Sequence, residues 1–224
     1  MRVVIATGNP GKVREFERML ENYGLPVYSA KELGIRMEVD ETGTSFSENA
    51  LLKCRSIPVS PEEETIVFAD DSGLCVDALG GAPGIYSSRY LGEDTPYDVK
   101  NAHFLALLKD VPDELRTCRY HCAIGVRFPD GTEEVTEATF EGRIAHEPAG
   151  TNGFGYDPIF YLPEYGKTCA EIPSELKDRI SHRGKAMRQA EAIIDAWMKK
   201  RAAKTQCTCG AQCPPAVTED INGE

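Results

Sequence analysis

Residues 65–73 read Thr65–Ile66–Val67–Phe68–Ala69–Asp70–Asp71–Ser72–Gly73, an apolar run that ends directly in two carboxylates. The β-branched and apolar part predicts a buried strand, and Leu74–Ala78 predicts another strand after it. Adjacent buried carboxylates are costly unless they are protonated or paired with a cation. Because neighbouring strand residues face opposite sides, one Asp can bind a metal while the other serves the structure. A simple turn is the alternative, since Asp, Ser and Gly all favour turns.

A similar combination of strand and turn opens the chain. Arg2–Ala6 is a short apolar run, and the loop Thr7–Gly8–Asn9–Pro10–Gly11–Lys12 joins it to a helix predicted over Gly11–Tyr23. Glycines let backbone N–H groups approach an anion, the helix N-terminus favours negative charge, and Lys12 adds a positive charge. The loop therefore indicates a phosphate site, although an ordinary β–α turn uses the same residue types. It is not a Walker A loop, because the spacing G-x-x-x-x-G-K-[ST] is absent.

Strand and helix signals alternate along the first half of the chain, which predicts an α/β fold. The remaining predicted elements are a strand over Pro26–Ser29, a helix that starts at Ser45, a helix start or surface turn at Ser60–Pro61, a helix from Thr95 to about Lys109, and a last helix from about Ser181 to Arg201. Ser45 and Glu48 have the spacing of a capping box. Thr95–Pro96 has that of an N-cap followed by the first helical residue.

A long hairpin follows this alternating region. Arg116–Arg127 and Glu133–Ala145 alternate apolar and polar residues, and Pro129–Asp130–Gly131 joins them with the Asp-Gly pair typical of a hairpin turn. Glu147–Pro163 is rich in Gly and Pro and is predicted to be loop. The hairpin suggests a second lobe. We therefore predict that residues 1–204 form a single bilobed domain with a small-molecule cleft between the lobes.

The composition limits the partners of this chain. Lys and Arg number 25 and Asp and Glu number 36, which gives a formal net charge of −11. An acidic surface repels the phosphate backbone, so general nucleic-acid binding is not expected. No run approaches the ~18 apolar residues of a membrane span, and the opening run is too short for a signal peptide. We expect a cytoplasmic protein that binds neither nucleic acid nor membranes.

The eight cysteines fall into two groups. Five are scattered among ordinary neighbours and are expected to be small buried thiols in a reducing compartment: Cys54, Cys75, Cys118, Cys122 and Cys169. Cys207, Cys209 and Cys213 lie close together in residues 205–224, a segment without periodicity that is expected to be disordered. Three thiols without a fourth ligand are weak grounds for a metal site.

The most unusual stretch is Gly153–Phe154–Gly155–Tyr156–Asp157–Pro158–Ile159–Phe160. An aromatic ring on a glycine-rich loop can stack on a nucleobase, and Asp157 can accept hydrogen bonds from N–H groups on a base edge. A loop that its aromatic residues pin to the core is an equally good interpretation.

Acidic residues ahead of the second helix have two interpretations. Asp40 and Glu41, together with Asp70 or Asp71, can hold Mg²⁺ through oxygen ligands. Alternatively they form an exposed acidic loop that complements a helix N-terminus. Lys53, about two helical turns beyond the start of that helix, is an ordinary solvated lysine on spacing alone.

The start of the last helix is also ambiguous. Arg183 can bind an anion through two hydrogen bonds, and His182 can hydrogen-bond a purine oxygen. Ser181 suits an N-cap, and a capped helix start with solvated side chains explains the same residues. Lys177 lies just upstream and either adds a phosphate contact or is exposed.

Two other hydrolase classes lack their motifs in this sequence. A Ser–His–Asp hydrolase of the α/β type needs a nucleophile elbow, and no G-x-S-x-G is present. A zinc hydrolase needs paired histidines. The four histidines are dispersed and make no such pair: His103, His121, His146 and His182.

Taken together, these motifs resemble the inosine triphosphate pyrophosphatase family, also called the Ham1-like family. The resemblance runs from Val3 to about Ala202 and rests on six blocks that occur in the family's order. The blocks are Thr7–Gly8–Asn9–Pro10–Gly11–Lys12, Glu48–Asn49–Ala50, Ala69–Asp70–Asp71–Ser72–Gly73–Leu74, Gly80–Gly81–Ala82–Pro83–Gly84–Ile85–Tyr86–Ser87, Phe154–Gly155–Tyr156–Asp157–Pro158–Ile159–Phe160 and Ile180–Ser181–His182–Arg183–Gly184. The cysteine-containing tail lies outside the resemblance.

The resemblance implies an elongated, two-lobed α/β fold in which helices flank a long central mixed sheet and the active-site cleft lies between the lobes. It implies a homodimer that uses Mg²⁺ and releases pyrophosphate from ITP, dITP and XTP. This activity cleans the nucleotide pool of deaminated purines.

The resemblance also implies roles for single residues. Asp71 is expected to accept a proton and to bind the metal, with Asp70 beside it and Glu41, or else Asp40, in the metal shell. Lys53 is expected to contact the phosphates. The residues expected to bind the substrate are Thr7, Gly8, Asn9, Pro10, Gly11, Lys12, Ser72, Phe154, Gly155, Tyr156, Asp157, Lys177, His182 and Arg183.

Two other functions stay open at this point. One is a nucleotide pyrophosphatase of the Maf type, which acts on modified pyrimidines or methylated nucleotides. The other is a nucleotide-binding or regulatory module without catalysis. A panel of substrates separates all three.

Overall fold

The computed structural model of the protein describes residues 1–21, 24–37, 39–59 and 61–209. The chain forms two compact units, Met1–Ala190 and Glu191–Glu224. The first unit contains the sheet and all the predicted site residues, and the described part of the second belongs to the last helix. Within the described ranges, no helix has both the length and the apolar character needed to cross a bilayer.

A seven-stranded mixed sheet organises the first unit, with the strand order β2-β1-β3-β4-β5-β6-β7. The strands are β1 (Arg2–Ile5), β2 (Val27–Ser29), β3 (Thr65–Val76), β4 (Thr117–Arg127), β5 (Glu133–Ile144), β6 (Phe160–Leu162) and β7 (Lys167–Thr168). β1 pairs in parallel with β2 and β3, and every later pairing is antiparallel. The predicted α/β class with a mixed sheet is confirmed, while the two-lobed, elongated shape stays a prediction.

Five α-helices occur in the described residues. They are α1 (Pro10–Leu20), α2 (Phe46–Ser56), α3 (Tyr97–Leu107), α4 (Ser174–Ile180) and α5 (His182–Cys209). α1 lies between β1 and β2 in the chain, and α2 precedes β3, so both belong to the crossovers that parallel strands require. α5 is longer than the predicted last helix. The expected disorder of residues 205–224 stays untested, and residues 210–224 lie outside the described residues.

The two strands predicted over 65–69 and 74–78 are in fact one. β3 runs without interruption from Thr65 to Val76, and β4 pairs with it from Val67 to Val76. The Asp-Asp-Ser-Gly sequence favours a turn locally, but the pairing with a long antiparallel neighbour overrides that preference. Gly73 is required here, because a Cβ would collide with the Gly84 carbonyl oxygen. Asp70 and Asp71 therefore lie in the middle of a strand and not at its end.

The two acids of β3 face opposite sides of the sheet, as the alternation of strand residues predicts. On one side, Ala69 packs in an apolar cluster with Cys54 of α2. On the other side, the ring of Phe68 lies 6.3 Å from that of Phe16 in α1. Asp71 shares the side of Ala69, and Asp70 shares the side of Phe68. This divergence separates the environments of the two carboxylates.

The predicted helix starts are partly confirmed. The Ser45 side chain accepts a hydrogen bond from the Glu48 backbone N–H at 3.1 Å, which makes Ser45 the N-cap of α2. The Glu48 carboxylate, however, accepts from the Thr44 backbone N–H at 2.6 Å, so the box is completed one residue earlier. The predicted cap Thr95 is wrong, because its hydroxyl donates to the Leu91 carbonyl oxygen and α3 begins two residues later.

The predicted hairpin is confirmed, with Arg127 opposite Glu133 across the turn. The segment predicted as loop over 147–163 contains a helical turn, Asp157–Ile159, and the strand β6. β6 was missed because it has three residues, too few to show a periodicity.

The scattered thiols are free, as predicted, and four of the five are buried: Cys54, Cys118, Cys122 and Cys169, with Cys75 half-buried. Burial raises the pKa of Cys54 to about 12. The side chains of Cys207, Cys209 and Cys213 lie outside the described residues.

We expect Arg116→Met to destabilise the fold by about 3 kcal/mol, because it leaves buried carbonyl oxygens without a donor. Arg116 is 2% exposed and donates to the carbonyl oxygens of Ile144 at 2.8 Å, Ala145 at 2.6 Å and Leu108. Arg119→Met, three residues later in β4, is the matched control, since the Arg119 side chain is 37% exposed and its ion pairs are worth no more than about 1 kcal/mol. Urea unfolding measures both. Equal losses in the two variants would contradict the assignment.

Candidate active site

A cleft of about 1000 Å³, counted with the solvent at its mouth, opens beside the middle of β3. It is lined by most of the residues that the sequence indicated: Thr7, Gly8, Asn9, Lys12, Glu41, Lys53, Asp71, Ser72, Phe154, Gly155, Tyr156, Asp157, Lys177, His182 and Arg183. Other residues complete its wall, among them Met37, Val39, Ser87, Ser88, Tyr97 and Tyr120. Segments far apart in the sequence therefore meet at one place.

One part of the cleft holds a charge cluster, made of Asp71, Lys53, Glu41 and Arg89. Lys53 Nζ lies 2.6 Å from Asp71 Oδ1 and 2.6 Å from Glu41 Oε1. Arg89 Nη1 lies 2.7 Å from Glu41 Oε2. Asn49, one helical turn before Lys53 in α2, donates from Nδ2 to Asp71 Oδ2 at 3.3 Å. Two carboxylates from different segments are thus held against one ammonium group.

The members of the charge cluster differ in how readily they ionise. Burial raises the pKa of Asp71, and the opposing effect of Lys53 does not cancel it. Burial also disfavours the charge on Glu41, but Lys53 and Arg89 outweigh it and lower the pKa of Glu41. Burial would lower the pKa of Lys53, but Asp71 and Glu41 outweigh it and raise that pKa. Burial therefore favours the protonated form of Asp71, whereas the neighbouring cations favour the charged form of Glu41.

Asp70 lies behind the cleft and is buried. Its carboxylate pairs with Lys12 of α1 and accepts from Arg183 Nε at 3.0 Å and from Ser72 Oγ at 3.0 Å. Burial would raise the pKa of Asp70, but Arg183 and Lys12 outweigh it and hold the pKa well below its usual value. Asp70 is thus a charged anchor that orders two cations and Ser72, and it does not line the cleft.

A chain of alternating charges continues from this anchor. Arg183 Nη1 pairs with Glu15, and Lys177 Nζ lies 3.1 Å from Glu15 Oε1 and 2.6 Å from Asp157 Oδ2. All five side chains from Asp70 to Asp157 are buried. Buried charges cost less when each has opposite neighbours, and breaking one pair leaves the other charge uncompensated. The acidic side chains on either side therefore hold Arg183 and Lys177 in place.

Asp157 is engaged on both carboxylate oxygens. Besides Lys177, it accepts from the Phe154 backbone N–H at 2.8 Å and from the Tyr120 hydroxyl at 3.3 Å. Asp157 therefore holds the loop that carries Phe154, which is one of the two interpretations that the sequence left open. Its expected contact with a base edge stays a prediction.

The opposite part of the cleft is an aromatic end, made of Phe154, Tyr120 and His182. The rings of Tyr120 and His182 stack with centroids 4.7 Å apart and planes 18° apart. Among the described residues, His182 Nδ1 is buried and has no hydrogen-bond partner. Burial, helped by Arg183, lowers the pKa of His182 far below its usual value, so the imidazole is neutral. The aromatic end therefore lines the cleft with aromatic side chains and an uncharged imidazole.

The loop before α1 is partly closed to an anion. The Asn9 side chain accepts from the backbone N–H groups of Gly11 at 2.8 Å and Lys12 at 3.4 Å, and so caps the helix. Pro10 and Gly11 do not line the cleft. Gly11 packs under the Phe154 ring, where a Cβ would collide with the ring carbons. The first residues of the loop and Lys12 are what this segment presents to the cleft.

Asp40 and Glu41 have separate positions. Glu41 lies in the charge cluster, whereas Asp40 is exposed and lines a neighbouring depression with Arg89 and Glu93. Of this pair, Glu41 lines the cleft and Asp40 does not. Which of the two binds a metal stays a prediction.

Four residues of the site were not assigned a role from the sequence: Glu15, Asn49, Arg89 and Tyr120. Asn49 precedes Lys53 by four residues on a helix, so helical spacing could have placed it beside Lys53. Glu15 lies three residues after Lys12 in α1, on a similar argument. Arg89 and Tyr120 carry no local signal, because a turn brings Arg89 to Glu41 and a sheet pairing brings Tyr120 to the cleft.

The donor set suits a divalent cation that arrives with a phosphate. Across the described residues, no three His, Cys, Asp or Glu side chains converge on one point as a metal site. Asp71 and Glu41 nevertheless converge on one cation, the Lys53 ammonium. Mg²⁺ is commonly held by one or two carboxylates together with substrate phosphates and water. Two carboxylates therefore fit Mg²⁺ on a triphosphate.

Several known proteins are similar to this chain along most of its length. A sequence profile described as the Ham1 family matches residues 3–193. A protein of Geobacillus kaustophilus (strain HTA426) named dITP/XTP pyrophosphatase is 51% identical over 186 residues, covering 83% of this chain and 90% of its own. One of the same name from Escherichia coli O157:H7 is 50% identical over 198 residues, covering 87% and 97%. The solved structure of the Staphylococcus aureus Ham1 protein is 38% identical with a TM-score of 0.75, covering 88% of this chain and 99% of that one.

Proposed function

Since this chain belongs to the Ham1 family, we propose that it hydrolyses ITP, dITP and XTP to the nucleoside monophosphate and pyrophosphate. One observation carries the proposal: a single cleft joins the charge cluster to the aromatic end. A triphosphate needs cations and carboxylates, and a purine needs flat surfaces with polar groups at its edge. The cleft supplies both in one space.

In the proposed reaction Asp71 and Glu41 would hold Mg²⁺, which would supply neutralisation of charge on the phosphate oxygens. Lys53 contacts both carboxylates, and it balances charge on the phosphates. Lys12 adds a second positive charge from the first turn of α1, because its side chain lines the cleft although its ammonium is paired with Asp70.

Asp71 accepts the proton of the attacking water. Its Oδ2 is held by Asn49 at 3.3 Å, which orients the carboxylate in the cleft. A base fixed in this way loses little entropy when the reaction begins. Asp70 serves as the anchor behind it and touches no reacting atom.

Base selection follows from hydrogen-bond polarity. Hypoxanthine and xanthine carry an oxygen at C6 where adenine carries an amino group. In this proposal the single N–H of a neutral His182 donates to that oxygen, while in ATP two donors face each other and both stay unpaired. The Phe154 and Tyr120 rings supply the apolar contacts of the base. GTP shares the 6-oxygen, so its exclusion depends on how closely the walls fit the 2-amino group.

We further propose that the enzyme acts as a cytoplasmic homodimer and binds no nucleic acid. The homodimer is implied by the resemblance to the family, and the five free thiols suit the reducing environment of the cytoplasm. The third is supported by the net charge of −11, since an acidic surface repels nucleic acids while a small triphosphate meets only the local cations.

The substrate panel is the direct test of this function. Pyrophosphate release is measured with ITP, XTP, GTP and ATP, each with Mg²⁺ and with EDTA. We expect metal-dependent release from ITP and XTP at more than about 10²-fold the kcat/KM for ATP, a ratio within reach of one mispaired polar contact. EDTA is expected to stop release from every nucleotide.

Other outcomes of the panel separate the rival functions. Equal activity on all four purines keeps the chemistry but removes the role given to the aromatic end. Activity confined to modified pyrimidines or methylated nucleotides, added to the same panel, indicates a Maf-type enzyme. No release from any nucleotide, together with measurable binding, indicates a binding module.

A further inference from the structure

Helix α3 supplies none of the predicted site residues, yet one of its faces packs directly behind the cleft. Tyr97 lines the cleft, and Lys100, Asn101 and Phe104 follow it at helical spacing and are buried. The opposite face is exposed, with Val99 at 49%. The buried face of α3 contacts both walls of the cleft.

Asn101 fixes the glycine next to Phe154. Its Nδ2 donates to the Gly155 carbonyl oxygen at 3.2 Å. Gly155 has a φ of +69°, a conformation that few other residues adopt, so this carbonyl points where the unusual backbone and Asn101 direct it. Among the described residues, Asn101 Oδ1 is buried and has no partner. An unpaired buried acceptor costs stability, so Asn101 is poorly suited to a purely structural role.

Lys100 fixes the opposite wall. Its ammonium is almost fully buried, donates to the Ser88 carbonyl oxygen at 2.6 Å, and lies 4.9 Å from the centre of the Tyr97 ring. Ser88 lines the cleft and precedes Arg89, which binds Glu41 of the charge cluster. The buried face of α3 therefore also holds the segment Ser88–Arg89, which leads to Glu41 in the charge cluster.

Tyr156 joins the two walls to each other. Its hydroxyl donates to the Ser87 carbonyl oxygen at 2.7 Å. Its ring meets the rings of Tyr97 and Phe104 edge-on, with centroids 5.2 Å and 5.5 Å away. The loop that carries Phe154 and the segment 87–88 are thus tied together and to α3, so the width of the cleft at its aromatic end depends on this helix.

We propose that Asn101 is a positioning residue for base selection, acting through the Gly155 carbonyl on the loop that carries Phe154. This inference rests on the proposed function. Discrimination between purines requires walls that are fixed before the substrate arrives, because a wall that yields lets a mismatched base avoid the penalty. Loss of the Asn101 bond therefore relaxes selectivity more than it slows the chemical step.

Two variants of Asn101 test the proposal. Asn101→Asp keeps the size of the side chain but replaces the amide donor, and Asn101→Ala removes both polar groups. We expect KM for ITP to rise about tenfold, kcat to stay within about threefold, and the ITP/GTP and ITP/ATP ratios of kcat/KM to fall about tenfold. Val99→Ala, on the exposed face of the same helix, is the matched control and is expected to keep all values within about twofold.

The ITP/GTP and ITP/ATP ratios of kcat/KM distinguish a positioning role of Asn101 from a purely structural one. A fall in both ratios in both Asn101 variants, with Val99→Ala unchanged, supports the proposal. Unchanged ratios overturn it, whether the rates stay at wild type or fall alike for every nucleotide as in a partly unfolded enzyme. If the wild-type enzyme releases no pyrophosphate, the proposed function has failed and this inference with it. That failure is seen before any variant is made.

Discussion

Asp71→Asn is expected to lower kcat for ITP by about 10³-fold or more, while nucleotide affinity stays within a few-fold of wild type. The amide has nearly the size of the carboxylate, so the cleft keeps its shape, but it cannot take a proton from water. In the variant, Glu41 is the one carboxylate of the charge cluster that still pairs with Lys53. Pyrophosphate release measures kcat, and calorimetric titration with a non-hydrolysable ITP analogue measures affinity.

The controls for Asp71→Asn separate a loss of folding from a loss of the proton acceptor. A melting temperature within about 3 °C of wild type shows that the charge cluster tolerates the change, because the amide keeps the size of the carboxylate and Lys53 stays paired with Glu41. A variant that retains wild-type kcat removes Asp71 as the proton acceptor. Loss of nucleotide binding without a change in kcat at saturation assigns Asp71 to binding alone.

Asp70→Asn, one residue earlier, is expected to act on stability. It removes the charge that Arg183 and Lys12 share in a buried site, and breaking such a pair costs about 3–5 kcal/mol. At about 2–4 °C per kcal/mol for a chain of this size, the melting temperature falls by on the order of 10 °C. Thermal unfolding by circular dichroism measures the change.

Asp178→Asn is the matched control for Asp70→Asn. Asp178 pairs with Arg18 at 2.7 Å, but the Arg18 side chain is 40% exposed, so the loss is expected to stay within about 1 kcal/mol. If Asp70→Asn melts within about 2 °C of wild type, the buried anchor has no energetic importance and the assignment is wrong.

The pH dependence of the Asp70 effect has a definite sign. Arg183 and Lys12 hold the folded-state pKa of Asp70 well below that of the unfolded chain. Such a group contributes its full stabilisation above the unfolded pKa, and the contribution is lost as the pH falls toward the folded pKa. The difference in melting temperature between wild type and Asp70→Asn is therefore expected to narrow below about pH 4.

Much of the site could be predicted because short motifs carry it. The loop 7–12, the Asp-Asp pair, the loop 153–160 and the start of α5 all supply residues to the cleft. What these motifs did not reveal is which residues face the cleft. Asp70 and Asp71 are adjacent and chemically identical. They differ because their side chains lie on opposite sides of the sheet, so that Asp70 is the buried anchor and Asp71 lines the cleft.

The partners of the charged residues were also beyond the sequence. Glu15 has the composition of any surface helix residue, yet it is buried between Arg183 and Lys177, which come from distant segments. Asn101 likewise reads as an ordinary helical residue until Gly155 is placed beside it. Contacts between residues that are more than fifty positions apart leave no trace in local spacing.

The α/β class, the hairpin of β4 and β5, and the set of motifs that belong to one cleft could be predicted from the sequence. These depend on local periodicity, turn chemistry and residue type, which act over a few residues. The folded chain was needed to show that β3 is one strand, that Asp157 holds its own loop, and that α3 packs behind the aromatic end. Those outcomes depend on which distant groups satisfy each buried charge and carbonyl, and burial makes that pairing obligatory.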